Sequence, residues 1–370
     1  MRNKIYASVI FVMVVILPSA CGKNALWKGH IETAEGITVY KNPKAPMYEQ
    51  PILTLAEDLC ISEEESRPEY QFYEISSIAV DREENIYVTD QGEKHIKVFN
   101  RDGDYLRTIG RPGQGPGEFG RPAKTFITEN NELRIVDPSR RQVHSYTAEG
   151  RYLESKKFNT VYPMDIAHDS SGNFYVMNYW REPGAGPGGF DLLKLNPDLD
   201  TVSTLVKVPI SVEARREEFE HIPGFVVRQD DCLVLGYASN YTFKILSPEG
   251  EVMRIIEKKY DLIPIPDELK KKAEDKDPMF AVELPKYFQP FFNFFCDDLG
   301  RLFVLTAGAD LAESIYNCDV FDPEGRFLCC IPIKLTIARV MILTAGKLYG
   351  VDEDSEGNPV VKRYMISWKI

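Results

Sequence analysis

An all-β fold is what the sequence predicts, and three observations predict it. Short runs rich in β-branched and aromatic residues follow one another from Ile75 to the C-terminus, each ending in Asp, Asn or Gly turn chemistry. The runs group in fours at a spacing of roughly 40 to 50 residues, the period of a four-stranded unit repeated around an axis. The sixth group stops after three strands, and "PILTLAEDL" at residues 51–59 can supply the fourth, which would otherwise leave an unpaired edge. The expectation is a six-bladed β-propeller of four-stranded antiparallel blades, its ring closed by an N-terminal strand.

The units justify themselves in order. "ISSIAVDREENIYVTDQGEKHIKVFNRDGDYLRTIG" gives strands at 75–81, 86–90, 96–100 and 105–109. Residues 126–158 repeat the pattern, and residues 164–208 repeat it around a Gly-rich insertion. "GFVVRQDDCLVLGYASNYTFKILSPEGEVMRIIEK" is the fourth unit, and "FFNFFCDDLGRLFVLTAG" with "YNCDVFDPEGRFLCCIPI" the fifth. "IARVMILTAGKLYGVDEDSEGNPVVKRYMI" is the incomplete sixth. The stretch "SIAVDREENIYVTDQGEKHIKVFNRDGDYLRTIGRPGQGPGEF" resembles an NHL-type propeller repeat. The whole mature chain resembles the six-bladed NHL-like propeller lipoproteins of the Gram-negative cell envelope. That resemblance implies a fold and an address. Members elsewhere bind proteins, peptides, sugars or RNA, or act as lyases and hydrolases, so it implies no single activity.

The N-terminus points to the same address. Arg2 and Lys4 precede a thirteen-residue apolar run at 5–17, shorter than the roughly 20 residues of a membrane-spanning helix. The ending Leu17-Pro18-Ser19-Ala20-Cys21 resembles the lipobox of bacterial lipoproteins, with Pro18 where Leu is usual. It implies cleavage after Ala20 and acylation of Cys21; the alternative is a plain secretory signal cut at the same bond. The organisation expected is a signal at 1–20, a tether at 21–50 and one propeller domain at 51–370, with a helical insertion at 259–290. The absence of an acidic run after Cys21 favours the periplasmic side over the cell surface.

Composition excludes some partners. With 44% hydrophobic and 11% aromatic residues the chain can bury a large core. Its net charge of −12, two units more acidic once Arg2 and Lys4 are removed, argues against nucleic acid and against a membrane held by a basic face. Membrane attachment is expected through the N-terminal lipid only, and the chain is expected to be a monomer.

In a propeller the D-to-A and B-to-C connections share one face, and the A-to-B and C-to-D turns share the other. The latter read as tight hairpins such as "REEN", "RDGD" and "PEGE", with "DSEGNP" placed among the C-to-D turns. The insertions fall on the first face: "RPGQGPGEFGRP", "REPGAGPGG", "PISVEARREEFEHIP", residues 259–290 and "GADLAESI". Long loops grouped on one side of a rigid scaffold are where ligands usually bind. Candidate ligand-binding residues there are Lys94 and His95, Arg140 and Arg141, Tyr179, Trp180 and Arg181, and Tyr287 and Phe288, the last two placed toward the channel mouth. Singly, such aromatics more often pack loops and such arginines are more often solvated.

Several chemistries are not encoded. The array Gly113, Gly115, Gly117 and Gly120 has the look of a phosphate cradle, yet it leads into an inner strand rather than a helix, and Pro116 lacks an N–H. His30, His95, His144, His168 and His221 fall on different element types, so no metal and no cofactor is expected. "DEDSEGNP" begins like a calcium loop but has Arg363 at its twelfth position. No nucleophile elbow occurs, no Ser or Cys has an identifiable base, and catalytic residues are unassigned. Cys60, Cys232, Cys296, Cys318, Cys329 and Cys330 remain after Cys21, read as mostly buried thiols, with Cys296 and Cys318 the pair to consider for a disulfide. The expected function is a non-catalytic binding module offering its long-loop face to a polypeptide or a glycan. The alternative is a propeller lyase or hydrolase working at the mouth of the central channel.

Overall fold

A computed structural model describes residues 26–63, 66–159, 163–181, 188–210, 223–268, 270–271, 286–310, 315–334 and 337–369. Six sheets follow one another around a ring. An N-terminal hairpin, β1 (His30–Ala34) and β2 (Ile37–Asn42), precedes β3 (Leu53–Ile61). Blade 1 comprises β4 (Ile75–Val80), β5 (Ile86–Asp90), β6 (His95–Phe99) and β7 (Tyr105–Ile109). Blade 2 comprises β8 (Lys124–Ile127), β9 (Glu132–Asp137), β10 (Gln142–Thr147) and β11 (Tyr152–Lys157). Blade 3 comprises β12 (Pro163–His168), β13 (Phe174–Arg181), β14 (Gly188–Leu195) and β15 (Thr201–Ile210). Blade 4 comprises β16 (Gly224–Val227), β17 (Leu233–Tyr237), β18 (Thr242–Leu246) and β19 (Val252–Lys258). Blade 5 comprises β20 (Asn293–Cys296), β21 (Leu302–Asp310), β22 (Ile315–Phe321) and β23 (Phe327–Lys334). Blade 6 comprises β24 (Ile337–Thr344), β25 (Lys347–Glu353) and β26 (Pro359–Trp368), with β3 as its outermost strand.

The ring closes where β3 runs antiparallel to β26, from Leu53 opposite Trp368 to Ile61 opposite Val361. Each first strand is innermost: β4 lies against β8 and β24, β20 against β24 and β16, and β16 against β12. Both faces of a blade are covered by its neighbours, so a buried layer fills each junction. Tyr87, Ile96 and Val98 of blade 1 meet Leu133, Ile135 and Tyr146 of blade 2. Phe243 and Ile245 of blade 4 meet Phe294, Val304, Phe321 and Phe327 of blade 5. Tyr349, Val351 and Val361 of blade 6 meet Ile78, Ile86, Val88 and Phe99 of blade 1, which seals the ring hydrophobically as β3 seals it by hydrogen bonds.

The recurrent turn residues have local work. Asp81 Oδ1 accepts the Asn85 N–H at 2.7 Å, and Asp169 Oδ1 accepts the Asn173 N–H at 2.8 Å. Asp297 Oδ1 likewise accepts the Arg301 N–H at 2.8 Å. These aspartates cap A-to-B hairpins.

Three expectations need correction. The segment 21–50 contains more than a tether: β2 pairs in parallel with β19, so β1 and β2 extend blade 4 outward to six strands. Asn42, 2% exposed, pins this hairpin by donating to the Gly325 carbonyl at 2.8 Å and accepting from the Phe327 N–H at 2.8 Å and the Trp27 indole at 2.9 Å. "DSEGNP" joins β25 to β26 and is a B-to-C turn, on the long-loop face, because β3 and not a C-terminal strand is the fourth member of blade 6. Cys296 and Cys318 lie on β20 and β22, separated by β21, and all six cysteines from Cys60 onward are free. Burial raises the thiol of Cys296 to about 12 and that of Cys329 to about 11, so both are held protonated. Within 259–290, residues 267–268 and 270–271 are helical, with the Lys270 N–H donating to the Pro266 carbonyl at 3.2 Å; residues 269 and 272–285 lie outside the described residues.

Candidate binding face

The long-loop face is tied together by buried carboxylates at the ends of the second strands. Asp90, fully buried, accepts the N–H groups of Tyr73, Glu74 and Glu93 at 2.9, 3.1 and 3.2 Å. Asp137, also fully buried, accepts those of Gly120, Arg121 and Arg140 at 2.6, 3.1 and 3.2 Å, and the Ser139 hydroxyl at 2.6 Å. Each carboxylate therefore fastens a D-to-A connection to the neighbouring B-to-C turn. Those turns place Lys94, Arg141 and Tyr241 at φ of 59°, 53° and 49°, so the three occupy equivalent corners of blades 1, 2 and 4.

The Gly-rich connection after blade 1 folds over this frame. One of its glycines does hold an anion, and the anion is the chain's own Glu118. That carboxylate accepts the Gly115 N–H at 2.7 Å and Arg111 Nε at 2.9 Å, which hold it below the usual carboxylate range. A Cβ on Gly113 would stand 2.0 Å from Glu118 Oε2, so a side chain there would displace the Glu118 carboxylate. Phe119, fully buried, anchors the loop edge-on against His144, with ring centroids 5.2 Å apart.

Beneath that loop a cleft of about 810 Å³ opens between blades 1 and 2. Lys94, Gln114, Ser139, Arg140, Gln142 and Lys157 contribute polar side chains to its wall, and His144, Tyr152 and Ser155 line it as well. β10 and β11 pair with His144 opposite Ser155, and Ser155 Oγ lies 2.8 Å from His144 Nδ1 and 2.9 Å from the Tyr152 hydroxyl. His144 is 1% exposed, burial lowers its pKa, and its Nε2 has no hydrogen-bond partner among the described residues. This corrects the expectation that no serine has a base within reach. An imidazole does face Ser155, but through Nδ1, and no carboxylate bonds to Nε2 to orient it, so the pair falls short of a nucleophile triad.

A second cleft, of about 290 Å³, lies between blades 4 and 5. There Asp319 pairs with Lys258 at 3.0 Å, both nearly buried, and accepts a hydrogen bond from the Tyr241 hydroxyl. Lys258 Nζ also sits 4.8 Å from the Tyr241 ring centroid and 4.7 Å from that of Phe327. Burial, reinforced by Asp319, pushes the Tyr241 phenol well up and the Cys330 thiol up to about 12.

The residues singled out from the sequence distribute as follows. Lys94 and Arg140 line the blade 1–2 cleft. His95 is adjacent on β6, its pKa lowered by burial and its Nε2 without a partner. Arg141 is exposed and donates to the Asn159 carbonyl at 3.2 Å. Tyr179, 40% exposed, rests on Phe190 with centroids 5.5 Å apart; Trp180 is half-buried with its indole N–H unpartnered among the described residues, and Arg181 is exposed. Phe288 lines the blade 4–5 cleft rather than the channel mouth, and Tyr287 bridges to Pro264 beside it. Cys21 lies outside the described residues. His144, Gln142, Ser155 and Lys157 were missed, although "QVHSYTAEGRYLESKK" is a hairpin whose turn at 147–151 fixes His144 opposite Ser155. Among the described residues no group of His, Cys, Asp and Glu is placed to hold a metal ion, and no helix is long and apolar enough to cross a membrane.

Comparison with known proteins agrees on the fold. Residues 65–185 match the model of a family described as a 6-bladed beta-propeller, DUF5128. A Bacteroides fragilis protein described as exported is similar in structure, with a TM-score of 0.58 at 13% identity over 89% of this chain and 99% of that one. A member of the duf4221 family from Bacteroides vulgatus follows at 0.56 and 9% identity, over 86% and 100% of the two chains. At those identities the likeness is one of fold. None of the curated proteins matches the chain in sequence. The chain is a six-bladed β-propeller.

Proposed function

We propose that the chain is a non-catalytic binding module of the bacterial cell envelope, anchored by acylation of Cys21, that presents its long-loop face to a polypeptide or glycan. The observation that carries this reading is the cleft of about 810 Å³ between blades 1 and 2, roofed by the longest described loop after blade 1 and cornered by Lys94 and Arg140. It is lined from the third and fourth strands of blade 2, away from the innermost strands, where the rival reading of a lyase or hydrolase would need its groups. Tyr73, Tyr179 and Phe292 add exposed aromatic surface to the same face, at 58%, 40% and 41% exposure. The export signal read at 1–20 and the exported Bacteroides fragilis protein of the same fold support the address. One observation favours the rival, the Ser155–His144 hydrogen bond, and a hydrolase built on it would lie in the lateral cleft and not in the channel.

The address is tested by metabolic labelling with radioactive palmitate: label is expected on the wild type and absent from Cys21→Ser. Binding is tested on an array of envelope glycans and peptides. Loop-face substitution Tyr73→Ala with Tyr179→Ala is expected to reduce the signals, and Leu299→Ser on the opposite face to leave them unchanged. Turnover of an arrayed compound, lost in Ser155→Ala, would replace this reading with the enzymatic one.

A further inference from the structure

We infer that the cleft between blades 1 and 2 binds an acidic sugar, a saccharide carrying a carboxylate; the inference deepens the proposed function and rests on it. Among the described residues the wall of this cleft holds three cations, Lys94, Arg140 and Lys157, and no carboxylate, in a chain whose net charge is −12. Neither Lys94 nor Lys157 has an ion-pair partner among the described residues. Arg140 Nε is 3.8 Å from Asp137, but that carboxylate already accepts three backbone N–H groups and a hydroxyl. Glu118, the nearest acidic group on the loop, is held by Gly115 and Arg111. The cations are therefore left to an incoming anion.

The remaining wall suits a hydroxyl-rich partner. Gln114, Ser139, Gln142 and Ser155 offer both donors and acceptors, and the aromatic lining is Tyr152 and the buried Phe119 rather than an open apolar pocket for a peptide side chain. His144 supplies a deeply buried imidazole whose Nε2 lacks a partner. The equivalent place three blades away shows what a satisfied version looks like. Asp319 stands where His144 stands, opposite Cys330 as His144 is opposite Ser155, and the chain fills that place itself with Lys258 and the Tyr241 hydroxyl. Lys94 occupies the corner of Tyr241 but makes no such contact.

The test is calorimetric titration of the full-length protein, in detergent if acylated, with trigalacturonate, neutral galactotriose and triglutamate. Binding of trigalacturonate is expected, weakening as salt is raised, with at least about tenfold less affinity for the other two probes. Lys94→Ala with Lys157→Ala is expected to weaken it about tenfold or more, and Leu299→Ser on the opposite face to leave it unchanged. Lys157→Ala alone, at an exposed strand end, gives the same direction if the double variant is poorly folded. Absence of binding, equal binding of galactotriose, tighter binding of triglutamate, or an undiminished Lys157→Ala variant would overturn the inference. Array signals confined to neutral glycans or to peptides would overturn it while leaving the binding-module reading in place.

Discussion

The two clefts on the long-loop face occupy equivalent junctions on opposite sides of the ring, and they differ in who satisfies the polar groups at their base. Between blades 4 and 5, Asp319 is answered by Lys258 and Tyr241 from within the chain. Between blades 1 and 2, the same strand position carries His144, which keeps one bond to Ser155, while its buried Nε2 has no partner among the described residues, in a cleft wall it shares with Lys94, Arg140 and Lys157. A repeat fold offers one architectural position several times. Substitution at that position decides whether a junction becomes a structural lock or a place for something else.

The largest expected effect comes from breaking the lock. Asp319→Ala strands Lys258 in an apolar setting and should cost about 3–5 kcal/mol in urea unfolding. His144→Gln at the equivalent place keeps a donor and an acceptor and should cost less than about 1 kcal/mol. Equal costs would erase the distinction between the clefts. Next, Asn42→Ala removes the pin between the N-terminal hairpin and β23, and leaves the buried Phe327 N–H unanswered, for about 2 kcal/mol. That loss should appear in stability and not in ligand binding at the blade 1–2 cleft.

A smaller effect lies in the pH dependence. Burial holds the imidazoles of His95, His144 and His168 below the ordinary 6.5. The unfolded chain accepts protons that the folded chain refuses. Stability is therefore insensitive to these groups above about pH 7 and declines as pH falls through 6.5 toward the lower folded values. Melting curves of His144→Gln should show a shallower acid decline than the wild type. Smallest of all, Glu118→Ala should leave the melting temperature unchanged while speeding hydrogen exchange at Gly115, because only the self-ligand of the loop is lost.

The architecture was legible because strand periodicity and turn residues are local signals. The Asp81, Asp169 and Asp297 caps and the closing role of residues 51–59 follow from patterns a few residues long and from one missing strand. The hairpin of β1 and β2 was not legible, because its partner β19 lies more than two hundred residues away and the pairing is parallel. The face of "DSEGNP" was not legible either, because it depends on β3 filling the outermost place of blade 6, which no turn residue encodes. At the candidate site, Lys94 and Arg140 were found from loop position alone. His144 and Lys157 were hidden inside ordinary-looking strands, and only register and the neighbouring blade give them a common cleft. The Gly-rich loop leads into β8, as its position between strands implies, and Glu118, three residues beyond Gly115, accepts the Gly115 N–H.

The difference between the clefts is measured most directly at His144. The chain has five histidines, and with ¹⁵N-labelled imidazoles their ring signals can be followed by NMR, His144→Gln identifying the one of interest. Addition of trigalacturonate is predicted to shift the His144 signals and to leave that of His168, on an inner strand of blade 3, unmoved. Trigalacturonate that binds without moving the His144 signals, or that moves His168 instead, would contradict the account.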